Sequence, residues 1–380
     1  MLAFAAVMLT GVSTMSCAQS WPVRPIKLIV PFPPGGATDA LARILAEKLP
    51  AKLGQSVIIE NKPGAATVIG VTAVTKAPAD GYTVLVSASS SFAVLPALKA
   101  NLAYDVEKDL AFVNLSVTAP IVVVTSLQQF NTLADLIAAA RTSPKKLRYS
   151  SYGAGTSPHL STELFAAAAK IEVEPIAYKG SGDALLGLLR GDVEFGQETL
   201  TAVLPQIKAG KLRALAVMMP ERSQFLPQVP GLDELKMPQA AYVPFYGVAV
   251  PAGTPGQVIE KLGKAIDEIL KAPDAKEKMA AQSLDVVSKG PEEMRAFIRN
   301  DLSRFRELGK RPESRLSPQQ WNQRIQARPH ARIAHTARRS PPANPVRLRP
   351  AAGGDIADRR RQGRECALVR HACSHRRPAL

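Results

Sequence analysis

The alternation of short apolar runs with glycine-rich turns restricts this fold more than any other sequence feature. Residues 26–32 form an apolar run, and Pro33-Pro34-Gly35-Gly36 breaks it. Residues 39–53 then place Leu41, Ile44, Leu45 and Leu49 on one helical face, and Gly54 ends the helix. The pattern predicts a strand over 57–60, a helix near 68–76 and a strand over 82–87. The rhythm restarts with a strand over 121–125. Helices follow at 133–141, 158–169, 183–190 and 200–209, and strands at 147–151, 173–178, 193–195 and 212–218. A strand over 245–250 and helices at 255–270, 275–281 and 291–308 close the pattern. Alternation of this kind predicts an α/β protein with mainly parallel sheets covered on both faces. Two such runs predict two α/β lobes, lobe one from residues 21–125 with 245–310 and lobe two from 126–244. The crossings fall near 120–126 and 220–245, and the second stretch holds Pro220, Pro227, Pro230, Pro238 and Pro244.

A length of 380 residues suits two lobes of ordinary size. The net charge of +16 is concentrated at one end: residues 311–380 hold 16 Arg, no Lys and 4 acids. The remaining 310 residues carry only +4, so a charge argument for nucleic-acid binding concerns the tail alone. Only 9 of the 70 tail residues are Leu, Ile, Val or Phe, too few for a core. An Arg-, Pro- and Ala-rich tail without Lys reads as disordered, out-of-frame translation of GC-rich DNA. The rival reading is a basic arm for nucleic acid or acidic lipid.

Residues 2–9 are apolar over the length of a signal peptide, and Ser16 and Ala18 fit a small-x-small cleavage site, giving residues 1–18 as an export signal. No Lys or Arg precedes the run, which leaves room for an upstream start. A buried N-terminal helix, or lipid attachment at Cys17, is the alternative. The other cysteines, Cys366 and Cys373, lie in the tail, so residues 19–310 use no thiol chemistry.

Four polar turns follow a strand and precede a helix: residues 33–39, 87–91, 150–159 and 179–183. Glycine lets backbone approach a ligand closely, and the helix N-terminus behind each turn offers unpaired N–H groups to a carboxylate or other small anion. Any one of these turns is weak testimony, and Asp39 and Asp183 are also ordinary helix-capping residues. Two turns in each half, able to face each other across a cleft, carry the case. Other chemistries have less support. Residues 33–39 lack the Lys and Ser/Thr of a phosphate-binding loop, and residues 19–310 hold one histidine, His159, and no G-x-S-x-G elbow. No transition-metal cluster and no cofactor is expected there. The rivals are a hydrolase using Asp39 or Asp183 near His159, and a ligand-sensing protein feeding a signalling system.

At these turns the chain resembles the substrate-binding proteins of tripartite tricarboxylate transporters, the TctC-like or Bug family. The matching stretches are Trp21-Pro22 with Pro25-Ile26, residues 30–39, Glu60-Asn61-Lys62-Pro63-Gly64-Ala65 and Ala79-Asp80-Gly81-Tyr82. Further on they are Gly155-Thr156-Ser157-Pro158-His159-Leu160, Tyr178-Lys179-Gly180-Ser181, residues 204–216 and Pro251-Ala252-Gly253-Thr254-Pro255. The resemblance implies a type II periplasmic-binding-protein fold, with two α/β lobes, a ligand cleft and a hinge. It implies a monomeric, periplasmic, non-enzymatic protein that hands a di- or tricarboxylate, acidic amino acid or aromatic acid to a membrane permease with large and small subunits. First-lobe ligand contacts would come from Phe32, Gly36, Thr38, Asp39, Ser87, Ser89 and Ser90. Second-lobe contacts would come from Gly155, Thr156, Ser157, Lys179, Gly180, Ser181 and Asp183. Three departures stand out. Gln197-Glu198-Thr199 replaces a frequent Phe-Asp-Asn, Phe245 a frequent Trp, and residues 311–314 do not continue into the family's last short helix.

Overall fold

The structure is a computed structural model, and it describes residues 21–99 and 101–310. By internal contact all the described residues belong to one unit. The export signal expected over 1–18 and the tail from 311 lie outside the described residues.

The first sheet has the order β11-β4-β10-β3-β1-β2, from β1 (Ile26–Val30), β2 (Val57–Asn61), β3 (Thr83–Ala88), β4 (Leu110–Thr118), β10 (Phe245–Pro251) and β11 (Asp285–Lys289). β1 runs parallel to β2 and β3, while β10 is antiparallel to both β3 and β4. Helices α1 (Ala37–Leu53) and α8 (Gly256–Lys271) cover one face, where Leu41, Leu45, Leu49, Leu262, Ile266 and Ile269 are buried together. The other face is covered by α2 (Val68–Thr75) and α10 (Pro291–Lys310), through Val71, Val74, Met294, Ile298 and Leu302. A π-helical turn over Ser90–Val94 leads into the short α3 (Leu95–Leu98), and α9 (Pro273–Ala281) packs beside α8.

The second sheet has the order β7-β6-β8-β5-β9, from β5 (Ile121–Thr125), β6 (Leu147–Ser151), β7 (Val173–Ala177), β8 (Phe195–Thr199) and β9 (Arg213–Val217). α4 (Leu133–Thr142) and α5 (Ser157–Ala169) pack on one face, and α6 (Ser181–Arg190) and α7 (Leu200–Lys208) on the other. α4 starts with a capping box, in which Thr132 and Asp135 each accept a backbone N–H from the other.

Two expectations are corrected. The sheets are mixed rather than mainly parallel, because β5 and β10 each enter a new sheet straight from the other one and pair antiparallel with both neighbours. The expected lobe boundary at 125 moves back to Ala119-Pro120, because Ile121–Thr125 is hydrogen-bonded to β8 and β9. The second crossing runs over residues 218–244, where 220–245 was expected.

Candidate functional site

Turns after β1, β3, β6 and β7 and the end of β8 meet at one gap between the two sheets. It is lined by Phe32, Gly36, Thr38 and Ser90 from the first lobe's turns and by Ser157 and Ser181 from the second's. Tyr152, Thr199 and Tyr246 complete its polar wall. No Lys, Arg, Asp or Glu lines it. The gap is nearly shut, with a cavity volume of about 40 Å³.

Direct contacts across the gap explain its size. Ser90 Oγ and Ser157 Oγ are 2.9 Å apart, and the Ser157 N–H donates to Ser90 Oγ at 3.1 Å. That N–H belongs to the first turn of α5, where no intrahelical acceptor exists. A first-lobe hydroxyl thus occupies a donor that points across the cleft. Ser89 joins the same cluster through Tyr242, whose hydroxyl lies 2.7 Å from Ser89 Oγ and 3.2 Å from Ser157 Oγ. Burial drives the Tyr242 hydroxyl far above its usual range, so it stays a neutral donor.

Other residues singled out from the sequence hold the turns in shape. Asp39 is 3 % exposed, and its oxygens accept from Gly35 N–H at 3.1 Å, Arg43 Nε at 2.7 Å and Asn61 Nδ2 at 3.2 Å. Asn61 Nδ2 also donates to Phe32 O at 3.0 Å, tying the β1 turn to the end of β2. Gly35 needs its glycine because φ is 98°. Ser87 Oγ lies 2.6 Å from Ser91 Oγ, which donates to Thr67 Oγ1, a chain of buried hydroxyls behind the cavity wall. Thr156 Oγ1 donates to Gly153 O at 2.8 Å, and Gly155 at φ 92° completes that turn. Gly180 is buried against the Pro33 ring of the opposite lobe. Lys179 and Asp183 do not reach the gap. Ser181 takes the inward position at the start of α6, so the residues two before and two after it are left exposed.

Sequence reasoning missed Tyr152, Tyr246 and the role of Glu198. Glu198 is 0 % exposed and sits behind the lining, where its Oε2 accepts from Tyr152 Oη and Ser181 Oγ, both at 3.0 Å. Burial pushes its carboxyl up to about 8 despite these hydrogen bonds. The expected strand over 193–195 stopped short of the polar triplet 197–199, yet the triplet forms most of β8 (Phe195–Thr199) and leads into α7 with no loop between them.

A strand-end cleft of this kind belongs to many binding folds, so likeness to known proteins decides the family. Residues 41–312 match the model of the tripartite tricarboxylate transporter family receptor. The chain belongs to that family. A relative of this receptor is protein BugT of Bordetella pertussis, 39% identical over 297 residues, which span 78% of this chain and 91% of BugT. Among solved structures, an R. palustris protein with adipate is 31% identical at a TM-score of 0.74, over 76% of this chain and 97% of that one. MatC from Rhodopseudomonas palustris with bound malate is 26% identical at a TM-score of 0.72, over 76% and 99%. The receptor has the two-lobed fold of periplasmic binding proteins such as BugD, 31% identical at a TM-score of 0.73 over 76% of this chain and 98% of that one.

Proposed function

We propose that this receptor captures a small carboxylic acid between its lobes, in the periplasm, and delivers it to a membrane permease with large and small subunits. The observation that carries the reading is the convergence of turns from both sheets on one cavity lined by hydroxyls and first-turn helix amides. Such donors suit a carboxylate, and the low dielectric of a closed cleft strengthens each hydrogen bond. Adipate and malate in similar proteins support acids of that size.

Access requires the lobes to part, since the closed gap is far smaller than the several hundred Å³ of a typical ligand pocket. In the open form the α5 amide and Ser90 are free to bind the acid. Closure is then favoured by the contacts that the acid makes with both lobes at once. Titration calorimetry with adipate, malate, succinate, citrate, aspartate and nicotinate tests the reading. At least one acid is expected to bind saturably at about micromolar Kd or tighter. A folded chain that binds none of them would refute capture.

A further inference from the structure

Glu198 is buried in the second lobe with no ion-pair partner among the described residues. The groups that face it are hydroxyls: Ser150 from β6, Tyr152 from the turn after it, Ser181 from α6, and Tyr246 from β10 on the first-lobe side. β5 sets Val122 opposite it in register, and α7 adds Val203 to the same apolar face. Among the described residues no cation offsets a charge at this position.

The two nearest hydroxyls, Tyr152 and Ser181, also line the cavity. Each hydroxyl owns one proton. When Glu198 is ionised, both protons point at its Oε2, as the two 3.0 Å bonds describe. The cavity then meets only lone pairs on this wall, and a ligand carboxylate would face them without a donor. When Glu198 is protonated, its O–H donates to one of these hydroxyls and releases that hydroxyl's proton toward the cavity. One proton added at Glu198 thus turns one acceptor on the wall into a donor.

We propose that Glu198 is a positioning residue that makes capture of a carboxylate at the Tyr152–Ser181 wall depend on one bound proton. The proton comes from solvent and sits on Glu198, or it arrives on the ligand's own carboxyl group, which then donates to the same lone pairs. The inference rests on the capture reading and deepens it, because the receptor takes its ligand as anion plus proton. The upward shift of Glu198 to about 8 agrees with this accounting. Below that pH the proton is in place and affinity is full; above it affinity falls as the proton is lost.

The experiment uses each panel acid that binds the full chain. Calorimetry at about pH 8.5 in phosphate and in Tris, which differ in ionisation heat, counts the protons taken up, and roughly 0.5 to 1 per ligand is expected. Kd should rise with pH, approaching about tenfold per unit above pH 8. Glu198→Gln keeps an amide donor at every pH. Its uptake should vanish, its affinity should be flat with pH, and near pH 9 it should bind about tenfold tighter than the native chain. Ser181→Ala leaves Glu198 and Tyr152 paired and should bind more weakly with the uptake retained. Native binding with no uptake and a flat Kd from about pH 7 to 9.5 would overturn the inference and leave capture standing. Native uptake persisting in Glu198→Gln would overturn it as well. Binding of no acid at any pH from about 5 to 9 would remove the capture reading itself.

Discussion

A Cβ built on Gly180 would lie 2.5 Å from Cγ of Pro33, across the gap between the lobes. The backbone there is extended, with φ at 175°, so alanine fits the second lobe taken alone. The clash exists only when the lobes meet, and neither the proline ring nor the opposing backbone can swing away. Gly180→Ala should therefore weaken acid binding by about 2 kcal/mol, or roughly thirtyfold, the cost of overpacking a closed contact. Its unliganded melting temperature should stay within about 2 °C of the native value. A matching loss of stability without ligand would show that Gly180 serves the second lobe rather than closure. Asp39 gives the opposite pattern. Its carboxylate holds the Gly35 N–H, the Arg43 guanidinium and the Asn61 amide, and Asp39→Ala would remove all three bonds, leaving Asn61 with Phe32 O alone. A loss of about 2–3 kcal/mol of stability in urea unfolding is expected. Native stability with lost binding would instead make Asp39 a direct ligand contact.

At the scale of elements, much was legible where burial and hydrophobicity coincide. β5 reads as Ile-Val-Val-Val-Thr and is fully buried, and α1 shows its stripe of Leu41, Leu45 and Leu49 ending at a left-handed Gly54. All but the start of β8 was illegible for the opposite reason: Gln197, Glu198 and Thr199 are polar yet buried, because the strand end forms and backs one wall of the gap. β4 and β11 were missed as well. β4 carries the polar, buried Asn114 and Ser116, which bond each other, and β11 is a half-buried edge strand without clear alternation. The turns were legible as gap-facing only in part, since a helix start shows which residues are polar but not which one points inward. Ser181 and Asp183 differ in just this way. The helix α10 was legible, but its reach was not. Met294, Ile298 and Leu302 pack into the first lobe, whereas Phe305 packs edge-on against Tyr242 of the crossing segment, with ring centroids 5.9 Å apart. Phe305 is 0 % exposed, so Phe305→Ala should cost about 3–5 kcal/mol of stability in urea. It should also weaken binding, because Tyr242 carries the Ser89–Ser157 hydroxyl cluster. A change below about 1 kcal/mol would show that α10 does not clamp the crossing.

For the whole molecule, opening is the step on which capture depends, and the serine pair at the gap offers a direct handle on it. Ser90 and Ser157 come from different lobes, and their Oγ atoms are 2.9 Å apart, so cysteines at both positions should oxidise to a disulfide with only small adjustment. The native cysteines, Cys17, Cys366 and Cys373, all lie outside residues 21–310, so the new pair has no rival within the two lobes. The oxidised double variant should be locked shut, and acid added afterwards should not bind. Each single variant should still bind, since either cysteine alone leaves the lobes free to part. Reduction of the double variant should restore binding to the level of the reduced singles. Oxidation in the presence of saturating acid should trap that acid, so that it survives gel filtration and is released only by reductant. These paired results need a cavity that the solvent reaches solely by separation of the lobes. If the oxidised variant bound acid as readily as the reduced one, the ligand would be entering by another route, and the turns that converge on this gap would not be the receptor's binding site.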